Sequence, residues 1–167
     1  HSSIVFISNR VDGPITNFAE DPRVLGIPND PNSMIYVSKL ITLENAASSL
    51  KVFLDAYVAN TSDVRLFYAL DQNVSAKETR FIPFPGHNNT DDYGYVINPA
   101  LSNGTPDLPI VRTDQYTQTP SVNQFRELKF TADHLQPFTK FRIKLIGTSD
   151  NQAIVPQFRN LRAISLA

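Results

Sequence analysis

Leu50-Lys51-Val52-Phe53-Leu54-Asp55-Ala56-Tyr57-Val58 and, six residues on, Val64-Arg65-Leu66-Phe67-Tyr68-Ala69-Leu70 set a period of two that decides the fold class. A strand sends successive side chains to opposite faces, so alternation of this kind marks a half-buried β-strand. In the first run Leu50, Val52, Leu54, Ala56 and Val58 face one way, and Lys51, Phe53, Asp55 and Tyr57 the other. In the second, Val64, Leu66, Tyr68 and Leu70 oppose Arg65, Phe67 and Ala69. The polar stretch Ala59-Asn60-Thr61-Ser62-Asp63 lies between them, and two alternating runs joined by so short a turn predict an antiparallel hairpin.

The same period recurs on both sides. Met34 to Leu43 places Ile35, Val37, Ile41 and Leu43 on one face, with Lys39 as the interruption. Phe125 to Thr131 alternates Leu128 and Phe130 with Glu127, Lys129 and Thr131, and Phe138 to Ile146 sets Phe141, Ile143 and Leu145 against Lys140, Arg142 and Lys144. Phe158 to Leu166 reads as the last strand, with a bulge where the alternation slips near Arg162. These runs predict a core containing Val52, Leu54, Leu66, Tyr68, Phe130, Phe141, Ile143 and Leu145. The stretch from Asp71 to Val122 is loop-dominated, with a short edge strand at Phe81 to Gly86, limited by Pro83 and Pro85, and another at Tyr93 to Ile97. No amphipathic helix is visible, only single turns at Glu44 to Ser49 and Thr131 to Leu135. About seven amphipathic strands split by long loops predict an all-β chain, a two-sheet antiparallel β-sandwich of jelly-roll-like topology. The proline-broken opening reads as an extended arm, giving an arm over 1–33 that packs on a sandwich over 34–167.

Composition narrows the function. Of 167 residues 41% are apolar and 19% charged, a globular rather than disordered balance. The chain opens on His1 with no leader pattern after it, which reads as a fragment or a processed chain. No apolar run reaches the ~20 residues of a membrane span, and a net charge of −1 offers no field for nucleic acid. With no cysteine and three histidines, neither a thiolate metal site nor a cysteine nucleophile is available. Charge is uneven: residues 1–114 hold 8 Lys/Arg against 13 Asp/Glu, or −5, and residues 115–167 hold 7 against 3, or +4. Such a division pairs acidic with basic strands inside one sandwich, or marks poles that dock on neighbouring subunits.

Candidate chemistry is thin. His1, His87 and His134 stand in no metal-ligand spacing, and Asp91-Asp92 with Asn88 and Asn89 fits no calcium loop, so neither a metal nor a cofactor is expected. Asp55 is the one acidic residue in the middle of a strong strand, and it shares its face with Lys51 as a surface pair, so no catalytic residue is expected. Two groups remain as a possible interaction surface. Lys140, Arg142 and Lys144 form a basic stripe on one strand face, suited to the acidic part of a neighbour. Phe53, Tyr57 and Phe67 are aromatics on nominally polar faces, which the arm, another subunit or a stacked sugar could cover, the arm being nearest at hand.

The order of these segments carries a resemblance. Asp30-Pro31, Tyr36-Val37-Ser38-Lys39, Ile41-Thr42-Leu43-Glu44 and Ser48-Ser49-Leu50-Lys51-Val52 come first, then Asp63 to Ala69 and Phe81-Ile82-Pro83-Phe84-Pro85-Gly86. Phe125 to Thr131, Phe138 to Ile146, Gly147-Thr148-Ser149 and Leu161-Arg162-Ala163-Ile164 complete it. From about residue 10 to the end the chain resembles a recurring module in virion structural proteins of T-even-like tailed bacteriophages, above all marine cyanophages. The resemblance implies a non-enzymatic module of a tail, baseplate or fibre-associated protein, located in the virion. Its partners would be other copies or other tail proteins, without nucleic acid or membrane. The alternative is a carbohydrate-binding module that assists attachment to a host-surface glycan.

Overall fold

The computed structural model describes residues 2–8, 34–76, 78–85, 104–108, 110–149 and 153–167, with the backbone alone at 2–8 and 34. Among the described residues ten strands follow one another: β1 (Ser2–Ser8), β2 (Met34–Val37), β3 (Ile41–Ala47), β4 (Ser49–Ala59), β5 (Ser62–Leu70), β6 (Ile82–Pro83), β7 (Arg112–Thr113), β8 (Arg126–Ala132), β9 (Phe138–Ser149) and β10 (Gln157–Leu166). They form two sheets. In the first, β1, β10, β4 and β8 lie side by side, all antiparallel, and β7 runs parallel to the last two residues of β4. In the second, β2 and β3 share β9 as partner, followed by β5 and β6. With β2 and β3 as two halves of one strand, the chain alternates between sheets in the order of a jelly roll. The fold is the expected β-sandwich.

The long alternating runs supply the core. Val52, Leu54, Leu66, Tyr68, Phe130, Phe141, Ile143 and Leu145 are all buried in one cluster, joined by Phe84, Phe138, Phe158 and Leu161. Tyr68 meets Phe84 edge-on at 4.8 Å between ring centroids, and Phe84 lies 5.9 Å from Phe130, so aromatic contacts stitch the two sheets. Gly104 closes the edge of β5: its carbonyl accepts from Leu66 N–H at 2.7 Å and its N–H donates to Phe84 O at 2.6 Å. Its φ of +76° and the 2.9 Å between an added Cβ and Leu66 O leave room for glycine alone.

Three expectations change. β4 and β5 are no hairpin, because they belong to opposite sheets. Only Asn60 and Thr61 separate them, and the chain turns there through the thickness of the sandwich, so both inward faces meet across the core. The run Met34 to Leu43 is two strands that swap faces. Tyr36, Ile41 and Leu43 pack on the main core, while Ile35 and Val37 pack on the outside of the second sheet. Ser38 makes the switch: its N–H donates to Ile143 O, its hydroxyl accepts from Ile143 N–H, both at 2.9 Å, and the same hydroxyl donates to Lys39 O at 2.9 Å. A side chain thereby replaces a ladder acceptor and the strand can restart in the other phase. Glu44 to Ser49 is not a helical turn either, since β3 runs extended to Ala47 and only Ser48 bends into β4.

The slip near Arg162 is a bulge. Between the pairs Arg159↔Asp55 and Arg162↔Phe53, β10 carries one residue more than β4, and Asn160 there takes a φ of +56°. Of the expected arm, residues 2–8 are β1, a strand paired along β10, and residues 9–33 lie outside the described residues.

Candidate interaction surfaces

The outer face of the second sheet holds half of the sequence candidates. Lys144 of β9 sits opposite Phe67 of β5, with Arg142 one step along, opposite Ala69. Phe67 is 3% exposed and Lys144 2%. They belong with a second apolar cluster of Ile35, Phe67, Ala69, Phe81 and Ile146, and the Lys144 ammonium lies 5.3 Å from the centre of the Phe81 ring. Arg142 donates to Ser38 O at 3.1 Å and to Val74 O at 3.0 Å, so its guanidinium ties the link after β2 to the loop after β5. The basic stripe does share one face, as its spacing required. Its inner member, Lys144, is enclosed, Arg142 is engaged by backbone carbonyls, and Lys140 is half-buried beside Asp71, whose carboxylate accepts from the Thr139 and Lys140 N–H groups.

The other aromatics lie on the opposite side of the molecule, outside the first sheet. Tyr57 is 2% exposed, its hydroxyl donating to Gln115 O at 3.2 Å and accepting from Thr117 N–H at 2.9 Å. Its ring meets Tyr116 at 5.6 Å and Phe125 at 6.1 Å, so the segment before β8 covers it. Phe53 is half-buried under the Arg162 guanidinium, 5.3 Å above the ring. Phe53, Tyr57 and Phe67 therefore form no single platform. The crossing between β4 and β5 separates Phe67 from the other two.

Around Phe53 the structure builds a polar node that alternation alone does not disclose. Arg162 bonds to Glu127, stands 3.9 Å from Asp55, and donates to Asn160 O at 2.9 Å. Asn160 donates from its side-chain amide to Asp55 at 2.6 Å. Asp55 thus pairs with Arg162 and Asn160 across the strand rather than with Lys51 along it. The only sequence signal for this node is the slip in β10 that puts Asn160 and Arg162 within reach.

A second surface missed by the sequence is a shallow cleft of about 250 Å³ at the end of β4, lined by Tyr57, Val58, Val111, Arg112, Thr113, Asp114, Gln124 and Arg126. Arg112 is anchored by Ser62 O at 3.1 Å and by Asp63 at 3.3 Å. Burial raises the pKa of Tyr36 and Tyr68 above the ordinary 10.0, because the phenolate would lose its water. Among the described residues no three His, Cys, Asp or Glu side chains gather into a metal-ligand group, and no helix is long and apolar enough to cross a membrane. His134 is an exposed turn residue with φ +58°, whereas His87, Asn88, Asn89, Asp91 and Asp92 lie outside the described residues, as does the strand expected at Tyr93 to Ile97.

The strand order and the closed core define a jelly-roll β-sandwich. No protein-family model and no curated protein matches the chain. Among solved structures, those of the Gt and Gx strains of infectious bursal disease virus are similar over 99% of this chain, at 10% and 9% identity with TM-scores of 0.41 and 0.43. The chain spans about a third of their length, 32% and 33%.

Proposed function

We propose that the chain is a non-enzymatic structural module of a bacteriophage virion, part of a tail, baseplate or fibre-associated protein, acting through subunit contacts. One observation carries the reading: among the described residues, the polar side chains in the middle of the long strands are engaged in holding the sandwich. Asp55 is bound by Asn160 and Arg162, Arg142 by two carbonyls, and Tyr57 by two backbone groups. General acid–base work needs a group free to reach its substrate, which these are not. The jelly roll is an architecture used by capsid and lectin domains, and the resemblance to tailed-phage virion proteins from about residue 10 to the end points the same way. The test is particle composition. Peptides of this chain in purified virions, with antibody label at the tail, are the expected result; particles free of it overturn the reading.

Glycan binding is the second reading, and the cleft lined by Arg112, Asp114, Gln124 and Arg126 favours it. Charged and amide side chains from two segments on one cleft are what a sugar subsite needs to hold hydroxyl groups. Titration with host surface polysaccharide decides: saturable binding lost in Asp114→Ala and Arg126→Ala supports it, and shortening of the polysaccharide overturns the non-enzymatic assignment.

A further inference from the structure

A sheet edge presents unpaired N–H and C=O groups to any strand that approaches, and natural sandwiches guard their edges with charge, proline, brevity or a cover. Among the described residues three edges are guarded. β6 is two residues long and includes Pro83, which has no N–H to donate. β8 carries Glu127 and Lys129, and Asp107 covers it, its N–H donating to Lys129 O at 2.7 Å and its carboxylate accepting from the Thr131 hydroxyl at 2.7 Å. The β2–β3 edge is broken at Ser38 to Leu40 and exposes Glu44 in its longer half.

The fourth edge differs. β1 reads Ser2-Ser3-Ile4-Val5-Phe6-Ile7-Ser8, seven residues without a charge, a proline or a glycine, and among the described residues it pairs with β10 alone. It also pairs with itself in kind at every position but Ser3 and Ile7. Laid antiparallel against itself about Val5, it sets Val5 opposite Val5, Ile4 opposite Phe6, Ser3 opposite Ile7 and Ser2 opposite Ser8. Aromatic with β-branched residues and small with small are favourable cross-strand combinations. The equivalent operation on β3 about Glu44 would oppose two glutamates. We infer that β1 is the edge through which two copies of this chain join, β1 to β1 about a two-fold axis, extending the first sheet of each into one continuous sheet. The contact is isologous and therefore closes at two. It rests on the assembly reading above only in that copies of the chain meet.

Register supplies the test. Ile4 and Phe6 pair with Ile164 and Arg162, whereas Val5 pairs with the fully buried Ala163, so positions 4 and 6 are the ones to charge, glutamate at 6 meeting Arg162 favourably and lysine at 6 at some cost. Sedimentation of the 167-residue chain over a wide concentration range should show a reversible monomer–dimer equilibrium. Ile4→Lys/Phe6→Lys and Ile4→Glu/Phe6→Glu should each weaken it about ten-fold or more, since both place like charges opposite each other. Mixing the two variants should restore a mixed dimer, in which the same pairs attract. Retention of the β-sheet circular dichroism and unfolding midpoint shows that each variant folds. If a variant does not fold, the wild type still decides: amides within Ser2–Ser8 should gain exchange protection as concentration rises. A dimer indifferent to both double substitutions, or unaltered exchange at Ser2–Ser8, overturns the edge contact and leaves self-assembly through another surface. A wild type that stays monomeric throughout also overturns it, and leaves the virion reading to the particle analysis.

Discussion

The outer faces of the two sheets answer the same problem in different ways. Each carries an aromatic where alternation calls for a polar residue, Phe53 on the first sheet and Phe67 on the second. On the second sheet the loop after β5 brings in Phe81, and Phe67 vanishes into an apolar cluster with Ile35, Ala69 and Ile146. On the first sheet Phe53 stays half-open, covered by one guanidinium that Glu127 and Asp55 hold in place. An aromatic on an outer face is thus no signature by itself; what the loops deliver above it decides whether it is a second core or a rim.

The comparison can be broken most sharply by truncation. Phe67→Ala should cost ~3–5 kcal/mol, as much as Phe141→Ala in the main core and no less than Leu54→Ala or Ile143→Ala, because a buried phenyl leaves a cavity in either place. Phe53→Ala should cost about 1–2 kcal/mol, the half-exposed ring losing less area and one cation–π contact. Equal losses in denaturant titration at Phe53 and Phe67 would erase the distinction. Next in size, Ser38→Ala strands the Ile143 N–H and should cost about 1–3 kcal/mol, loosening the second sheet where Arg142 also anchors. On the first sheet Arg162→Met should cost about 1 kcal/mol or less, and the loss should shrink in strong salt, because its carboxylate partners are partly in solvent. The smallest effect is invisible at neutral pH. Tyr36 and Tyr68, both on the inner face of the second sheet, keep their protons more tightly folded than unfolded. Below the unfolded pKa of about 10 both states are protonated and nothing changes; as pH rises past it the unfolded chain ionises first and stability falls. Tyr68→Phe should flatten that alkaline decline in unfolding curves taken across the range, and an unchanged slope would assign it to other groups.

How much of this was legible follows from what alternation encodes. It reports which face a residue takes, so Val52, Leu54, Leu66, Tyr68, Phe130, Phe141, Ile143 and Leu145 could all be placed inside from spacing alone. It is silent on which sheet a strand joins. Asn60-Thr61 looks like a hairpin turn, yet it carries the chain across the sandwich. It is equally silent on loops, which is why the cover over Tyr57 by Gln115 to Phe125 and the enclosure of Lys144 beside Phe81 lay beyond a reading of strand faces. The phase change at Ser38 was hidden for a third reason, since a serine hydroxyl standing in for a backbone acceptor leaves no periodic trace. The cleft at the end of β4 gathers residues from three separate segments and has no linear signal.

The passage of the chain to the opposite sheet after most of its strands has a consequence for time. The long ladders join β4 to β8 and β10, β5 to β9, and β1 to β10, so few of them can form from neighbours along the chain. Loop-closure entropy must be met before such distant pairings return any free energy, and chains of this kind fold in milliseconds to seconds rather than microseconds. The last ladder spans nearly everything, Ser2 against Leu166. During synthesis β1 emerges before the other strands of the sandwich and waits for its partner until β10 follows, so its seat is taken only when the rest of the sandwich already exists.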